Sequence, residues 1–158
     1  MRIRIGSDST CDLSQELLEK YNISLAPLNI VKNGESFLDG FTITPADIFE
    51  HVANGGSLCT TSANSVGEYE EWFAKFASYY DGVIHINIGS GFSSCYQNAC
   101  LAAMEFENVR CIDSNNLTTG QGLVVLKACE LAKTAQSLDA LAEELEAYCQ
   151  KIETSFMV

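Results

Sequence analysis

The chain has 158 residues, the size of one domain, and a chain of that size buries roughly 70% of its unfolded surface. Hydrophobic residues make up 47% and charged residues 19%, a balance that fits a globular core and excludes a disordered segment. The formal net charge of −12 repels nucleic acid and anionic membrane, so neither is expected as a partner, and no apolar stretch approaches the ~20 residues of a membrane span.

The first element predicted is a short strand, "RIRIG", followed by a polar turn, "SDSTCDL". Leu13, Leu17, Leu18 and Tyr21 then fall on one helical face. "ISLAPLNIV" reads as a second strand, and "KNGES" holds an Asn33-Gly34 hairpin turn. "TPADIFEHVANGG" is a helix with Thr44 as its cap, Pro45 at its first position and Gly55-Gly56 at its end. "SLCTTSANS" reads as a hydroxyl-rich loop. Ser65 and Glu68 form a capping box for a helix carrying Tyr69, Trp72, Phe73, Phe76 and Tyr80, spaced as a core-facing stripe.

"GVIHINI" is a nearly continuous apolar strand, the pattern of a strand covered on both faces. It runs into the turn "GSGFSS" and a helix over about 94–105. "VRCID" is the next strand, "SNNLTTGQG" opens a long helix through Ala132, and Ser137 caps a last helix, "SLDALAEELEAYCQKI". The final residues, "TSFMV", read as one more strand. Strands alternating with helices predict an α/β fold: an open, mostly parallel sheet with helices on both faces, a Rossmann-like three-layer domain over 1–158.

Seven cysteines, an odd number with no CxxC pair, and a Met1 that runs straight into a strand predict free thiols in a reducing cytoplasm. Two histidines and no Cys/His cluster give no ground for a metal site.

Ligands of open parallel sheets bind beyond the carboxyl ends of the strands. Four turns fall there: "SDST", "TTSANS", "GSGFSS" and "DSNN". They are rich in hydroxyls and helix starts and carry no lysine or arginine, a set that matches a carboxylate better than a triphosphate. The same residue types are also the preferred helix caps. A dinucleotide reading stands beside this one. "GSGFSS" is a GxGxxS turn between strand and helix, and Asp113 ends the next strand where a ribose-binding acid belongs; this would make the chain a Rossmann-type oxidoreductase domain. A nucleophile reading of Ser93 or Cys95 requires a base, and His85 lies mid-strand.

"GSDSTCDL", "TTSANSVGEYEEWF", "INIGSGFSSCYQNACLA" and "VRCIDSNNLTTGQGLVVLKA" occur in the order and spacing of the DegV family, and the resemblance covers essentially the whole chain. It implies a bacterial, cytoplasmic fatty-acid-binding protein without chemistry of its own and with no cofactor. Such a protein holds a long-chain acyl carboxylate and presents it to a separate ATP-using kinase of the fatty-acid kinase type. By motif position the resemblance assigns the carboxylate to Thr61, Ser62 and Ser93, with Ser94, Asp8 and Ser9 at the same edge. This chain departs from the pattern in having Ala63-Asn64 for a usual Gln-Pro, Ser94 for a usual Gly and Cys95 for a usual Thr. The family's acyl chain lies in a tunnel between two domains, and the resemblance here is to the first domain alone.

Overall fold

The structure is a computed structural model that describes residues 1–155 and 157. Its elements run β1 (Ile3–Asp8), a short 3₁₀ turn (Ser9–Cys11), α1 (Gln15–Tyr21), β2 (Ser24–Ala26), β3 (Asn29–Lys32), β4 (Glu35–Leu38), α2 (Pro45–Ala53), β5 (Thr60–Ser62), α3 (Val66–Ala77), β6 (Gly82–Asn87), α4 (Cys95–Ala103), β7 (Val109–Asp113), α5 (Thr118–Leu131) and α6 (Leu138–Cys149). A four-stranded parallel sheet has the order β2-β1-β6-β7. Its two faces are covered by different layers, as predicted.

Alternation along the strands sorts the layers. Ile5, Ile84, Ile86 and Ile112 pack with Val124, Val125 and Ala128 of α5 and Leu138, Leu141 and Leu145 of α6. Val83 and Val109 face the other way, onto Tyr69, Trp72 and Phe73 of α3 and Ala99 and Ala102 of α4. The aromatic stripe of α3 is therefore core: Tyr69 and Phe73 are fully buried and Trp72 nearly so, each contributing on the order of 2 kcal/mol of burial. Gly6 shows why β1 needs a glycine, because a Cβ there would collide with the Trp72 ring.

The local punctuation works as the residue types demand. Asn33 (φ 54°) and Gly34 (φ 82°) turn β3 into β4 in the left-handed region that such hairpins require. Thr44 and Asp47 cap α2 reciprocally with Pro45 in its first turn, and Ser65 and Glu68 do the same for α3. The Ser137 hydroxyl accepts from the Ala140 amide at 3.1 Å and opens α6.

Three expectations are corrected. "ISLAPLNIV" is not one strand. β2 ends at Ala26, and β3 begins at Asn29 in a separate antiparallel sheet of order β4-β3-β5. Pro27 has no amide to continue a ladder, and the Leu28 amide donates instead to the Ser9 hydroxyl at 3.1 Å. "TTSANS" is not wholly a loop either: Thr60–Ser62 is β5, paired antiparallel with β3, Ile30 opposite Thr61. Its side chains are exposed, so no apolar alternation marks it. Finally, Thr154, Ser155 and Met157 are outside any strand. The rest of the expected last strand, Phe156 and Val158, lies outside the described residues. Among the described residues no helix is long and apolar enough to cross a membrane.

Candidate functional site

The chain leaves β1 for β2 on one side, while β6 and β7 lie on the other. The carboxyl ends of β1 and β6 therefore frame the switch point of the sheet, where an open α/β sheet forms its crevice. β1 ends in Asp8, and β6 runs through Ile88 into the "GSGFSS" turn.

Asp8 is fully buried and ties the two ends together. Its Oδ1 accepts from the Tyr69 hydroxyl at 2.7 Å and lies 3.0 Å from His85 Nε2. Its Oδ2 accepts from the Ile88 amide at 2.9 Å and from Asn87 Nδ2 at 3.1 Å. A buried charge is tolerable only when paired and hydrogen-bonded in this way. Burial, and then the neighbouring Asp8 charge, push the Tyr69 hydroxyl far above its ordinary value, so it stays protonated and donates. Asp8 thus fixes where the turn begins and is not itself open to a ligand.

The turn is pinned from its other side as well. The Gly89 amide donates to the Asn116 carbonyl at 2.8 Å, and the Ser90 amide to Asp113 Oδ1 at 3.0 Å. A Cβ on Gly89 would stand 2.9 Å from the backbone of both Asn115 and Asn116, so only glycine lets these two turns touch. Asp113 Oδ1 also accepts from the Asn115 amide at 2.9 Å. That carboxylate is spent on joining two turns, and the ribose-binding role that the dinucleotide reading gave it is not favoured.

Past these anchors the turn presents its serines. Ser93 is half-buried and Ser94 exposed, immediately before α4. The Ser93 oxygen accepts from the Cys95 amide at 3.2 Å, and its hydroxyl donates to Cys95 Sγ at 3.1 Å. A thiol sulfur is a weak acceptor, so this hydroxyl can be redirected to a carboxylate at little cost. Ser94 has φ −79° and ψ 2°, angles ordinary for an L-residue; a serine at the family's glycine position is unstrained. Cys95 is fully buried. His85 is fully buried, and its hydrogen-bond partner is Asp8 and not Ser93 or Cys95, so the structure pairs neither candidate nucleophile with a base.

Thr61 and Ser62 are exposed on β5. The segment that follows them is fastened to α4, because Asn98 Nδ2 donates to the Asn64 carbonyl at 2.8 Å. The Asn98 amide in turn bonds to the Ser94 carbonyl at 3.0 Å. A short chain of bonds therefore runs from two residues past Ser62 to the first turn of the helix behind Ser93. Ser9 lies elsewhere along the edge, where its hydroxyl donates to Asp39 Oδ2 at 2.7 Å. A cavity of about 560 Å³ opens there, with Ser9, Asp12, Leu18, Leu25, Asp39 and Phe41 in its wall; Thr61, Ser62 and Ser93 do not line it. Burial, and then the neighbouring Asp39 charge, raise the Asp12 carboxyl above its ordinary value. A further carboxylate is unwelcome in that cavity.

Nothing local in the sequence marks Tyr69, Asn87, Asn98 and Asn116 as site residues. The spacing of Tyr69 predicts core, and it is core; the further signal it carries is that a buried phenol needs an acceptor. The three asparagines act through contacts far along the chain, for which one sequence has no marker. Among the described residues no three His, Cys, Asp or Glu side chains stand together to hold a metal ion.

Comparison with known proteins assigns the chain. The profile described as "Uncharacterised protein, DegV family" matches residues 2–158. A DegV domain-containing protein of Clostridium perfringens is 37% identical over 156 residues, which is 98% of this chain and 56% of that protein. The solved structure entitled "Fatty Acid Binding of a DegV family Protein from Thermus thermophilus" superposes with a TM-score of 0.85 at 34% identity, over 95% of this chain and 54% of that one. DegV of Bacillus subtilis, described as a fatty acid binding protein, superposes at 0.86 with 30% identity over the same shares, 95% and 54%. The chain spans about half the length of the relatives it matches. With its profile match running from end to end, this chain belongs to the DegV family.

Proposed function

We propose that the chain binds a long-chain fatty acid. Hydroxyls of Thr61, Ser62 and Ser93 hold the carboxylate, and the start of α4 at Ser94 faces it with a positive dipole end. The observation that carries this reading is a pair of hydroxyl-bearing segments joined through Asn64 and Asn98, in a fold whose relatives are fatty-acid-binding proteins. Asp8 and Ser9 brace the edge from beneath and beside.

The protein is a carrier in this reading, acting in the cytoplasm with no chemistry of its own. The resemblance supplies the next step, presentation of the bound carboxylate to a separate ATP-using kinase that makes the acyl phosphate. Consistent with a carrier, Ser93 is bonded to Cys95, and the fully buried His85 has Asp8 as its partner.

Native mass spectrometry of the purified chain with palmitate and with methyl palmitate tests the reading. One adduct per chain with the acid, absent with the ester and absent in a Thr61→Ala/Ser93→Ala variant, is the expected result. Equal uptake of acid and ester would show that no carboxylate site exists. Addition of a bacterial fatty-acid kinase and ATP then tests presentation: acyl phosphate should form only when the chain is present.

A further inference from the structure

The first half of β1 has a strand on one side only. β6 pairs with it from Ile3 through Ser7, whereas β2 pairs with Gly6, Ser7 and Asp8 alone. In the gap beside Ile3, Arg4 and Ile5 a cavity of about 510 Å³ opens, at the amino ends of the strands and so across the sheet from the candidate carboxylate site. Arg2, Arg4, Lys20 and Lys133 all line it, four of the nine Lys and Arg residues of the chain. Among the described residues no Asp or Glu lines it.

Two tyrosines hold these cations in pairs. Arg2 Cζ lies 5.1 Å and Arg4 Cζ 5.5 Å from the centre of the Tyr80 ring. Lys20 Nζ lies 5.3 Å and Lys133 Nζ 6.0 Å from the centre of the Tyr21 ring. A ring face attracts a cation but carries no net charge, so each pair is kept together without being neutralised. The hydrogen bonds are no different in kind: the Arg2 guanidinium donates to the Tyr79 carbonyl and that of Arg4 to the Ser24 hydroxyl, both uncharged acceptors. Arg4 is half-buried, and its Nε is buried without a hydrogen-bond partner.

The chain has 21 Asp and Glu residues, yet among the described residues no ion pair joins any of them to these four cations. Asp81 comes near, accepting from the Arg2 backbone amide at 2.6 Å, but it does not pair with the guanidinium. α1, α3 and α5 end towards this edge of the sheet, and helix carbonyl ends attract cations. At roughly −0.5 charge each, three helix ends do not cancel four unit charges. A half-buried guanidinium without a counter-charge is costly to keep, and the cavity beside it has room for one.

We propose that this cavity binds a multiply charged phosphate anion, either pyrophosphate or the diphosphate of a nucleotide. Two adjacent phosphates concentrate several negative charges on one small group. Arginine forks onto their oxygens in pairs of bonds, and lysine meets them as a point charge. A single carboxylate or phosphate monoester brings too little charge to serve both tyrosine-held pairs. The volume is that of an ordinary small-molecule site. Because the net charge of −12 repels anions at long range, capture depends on the local field inside the concave, cation-lined wall. The site lies at the other end of β1 from the proposed fatty-acid site and does not depend on it.

Isothermal titration of the chain at low salt with pyrophosphate, ADP, AMP and adenosine tests the proposal. Pyrophosphate and ADP should each bind once per chain, AMP at least about tenfold more weakly, and adenosine not at all. ADP tighter than pyrophosphate adds the nucleoside to what is recognised; equal affinities assign the site to the diphosphate alone. Lys20→Gln/Lys133→Gln, which changes two exposed side chains, should weaken both ligands at least about tenfold. Lys32→Gln/Lys151→Gln removes the same charge from residues outside the cavity and should bind as the parent chain does. Absence of pyrophosphate binding overturns the proposal. So does AMP binding as tightly as ADP, or equal weakening by the two double variants, which would reduce the effect to overall charge.

Discussion

Asp8 brings a carboxylate into the interior of the sheet and meets the Tyr69 hydroxyl, the Asn87 amide and the Ile88 amide there. Removing it leaves those donors buried without partners, a loss that exceeds the worth of any single bond. We expect Asp8→Ala to cost about 3–5 kcal/mol in urea unfolding; a cost below about 1 kcal/mol would mean that water repairs the site. Gly89→Ala should cost about 1–3 kcal/mol, because its new methyl meets backbone of the Asn115–Asn116 turn and not a side chain that could swing away. Ser93→Ala gives up the bonds to the Cys95 amide and sulfur, a cost of about 1 kcal/mol. Its larger expected effect is on the ligand: about ten- to a hundredfold weaker fatty-acid binding for one charge-assisted bond. At this scale the sequence exposes residues whose chemistry is local. Ser93 and Thr61 could be picked as hydroxyls beside helix and strand ends, and the Ser65–Glu68 box could be read directly. That Asp8 is a buried anchor could not be, since all three donors just named lie more than sixty residues away.

Elements follow the same division. α2, α3 and α6 carry their start signals within four residues, and the Asn33-Gly34 hairpin carries its own turn chemistry, so all were legible. β3 and β5 exist because they pair with each other across an intervening hairpin and helix, and β5 has exposed hydroxyl side chains that advertise nothing apolar. α3 also gives a pH-dependent prediction. Burial acts to raise the Glu68 carboxyl, but hydrogen bonds from the Ser65 backbone, the Asn29 amide and the Ser65 hydroxyl outweigh it and hold the group below 4.5. A carboxyl lowered on folding stabilises the fold above its unfolded value and stops doing so as pH falls through the lowered one. Glu68 faces solvent, which screens the effect. Glu68→Ala should therefore cost about 1 kcal/mol at pH 7, and the two proteins should converge in stability as pH falls through the lowered value. A difference that persists unchanged into acid would assign the loss to packing and not to the cap.

At the scale of the whole molecule, charge and apolar exposure bear on how the proposed fatty acid would be held. A net charge of −12 opposes an incoming carboxylate at long range, and the two short segments that the reading assigns to it offer only hydroxyls and a helix start. The tail must supply most of the affinity. Full burial of a sixteen-carbon tail is worth ~12 kcal/mol at about 0.8 per methylene. The resemblance places that tail between two domains and likens these 158 residues to the first of them. Phe92, beside Ser93, is 54% exposed, whereas Leu101 (55%) and Met104 (79%) lie at the far end of α4 and just past it. Apolar surface at the turn itself is thus supplied by Phe92. Covering about half of the tail forgoes ~6 kcal/mol, nominally four decades of affinity, although part of the tail's surface is already hidden in free fatty-acid assemblies. We expect isothermal titration below the micelle-forming concentration to find palmitate bound by this chain at least about a hundredfold more weakly than by full-length Bacillus subtilis DegV. Equal affinities would mean that the 158 residues close around the tail by themselves, and the open apolar surface beside Phe92 would then need another explanation than the wall of a shared tunnel.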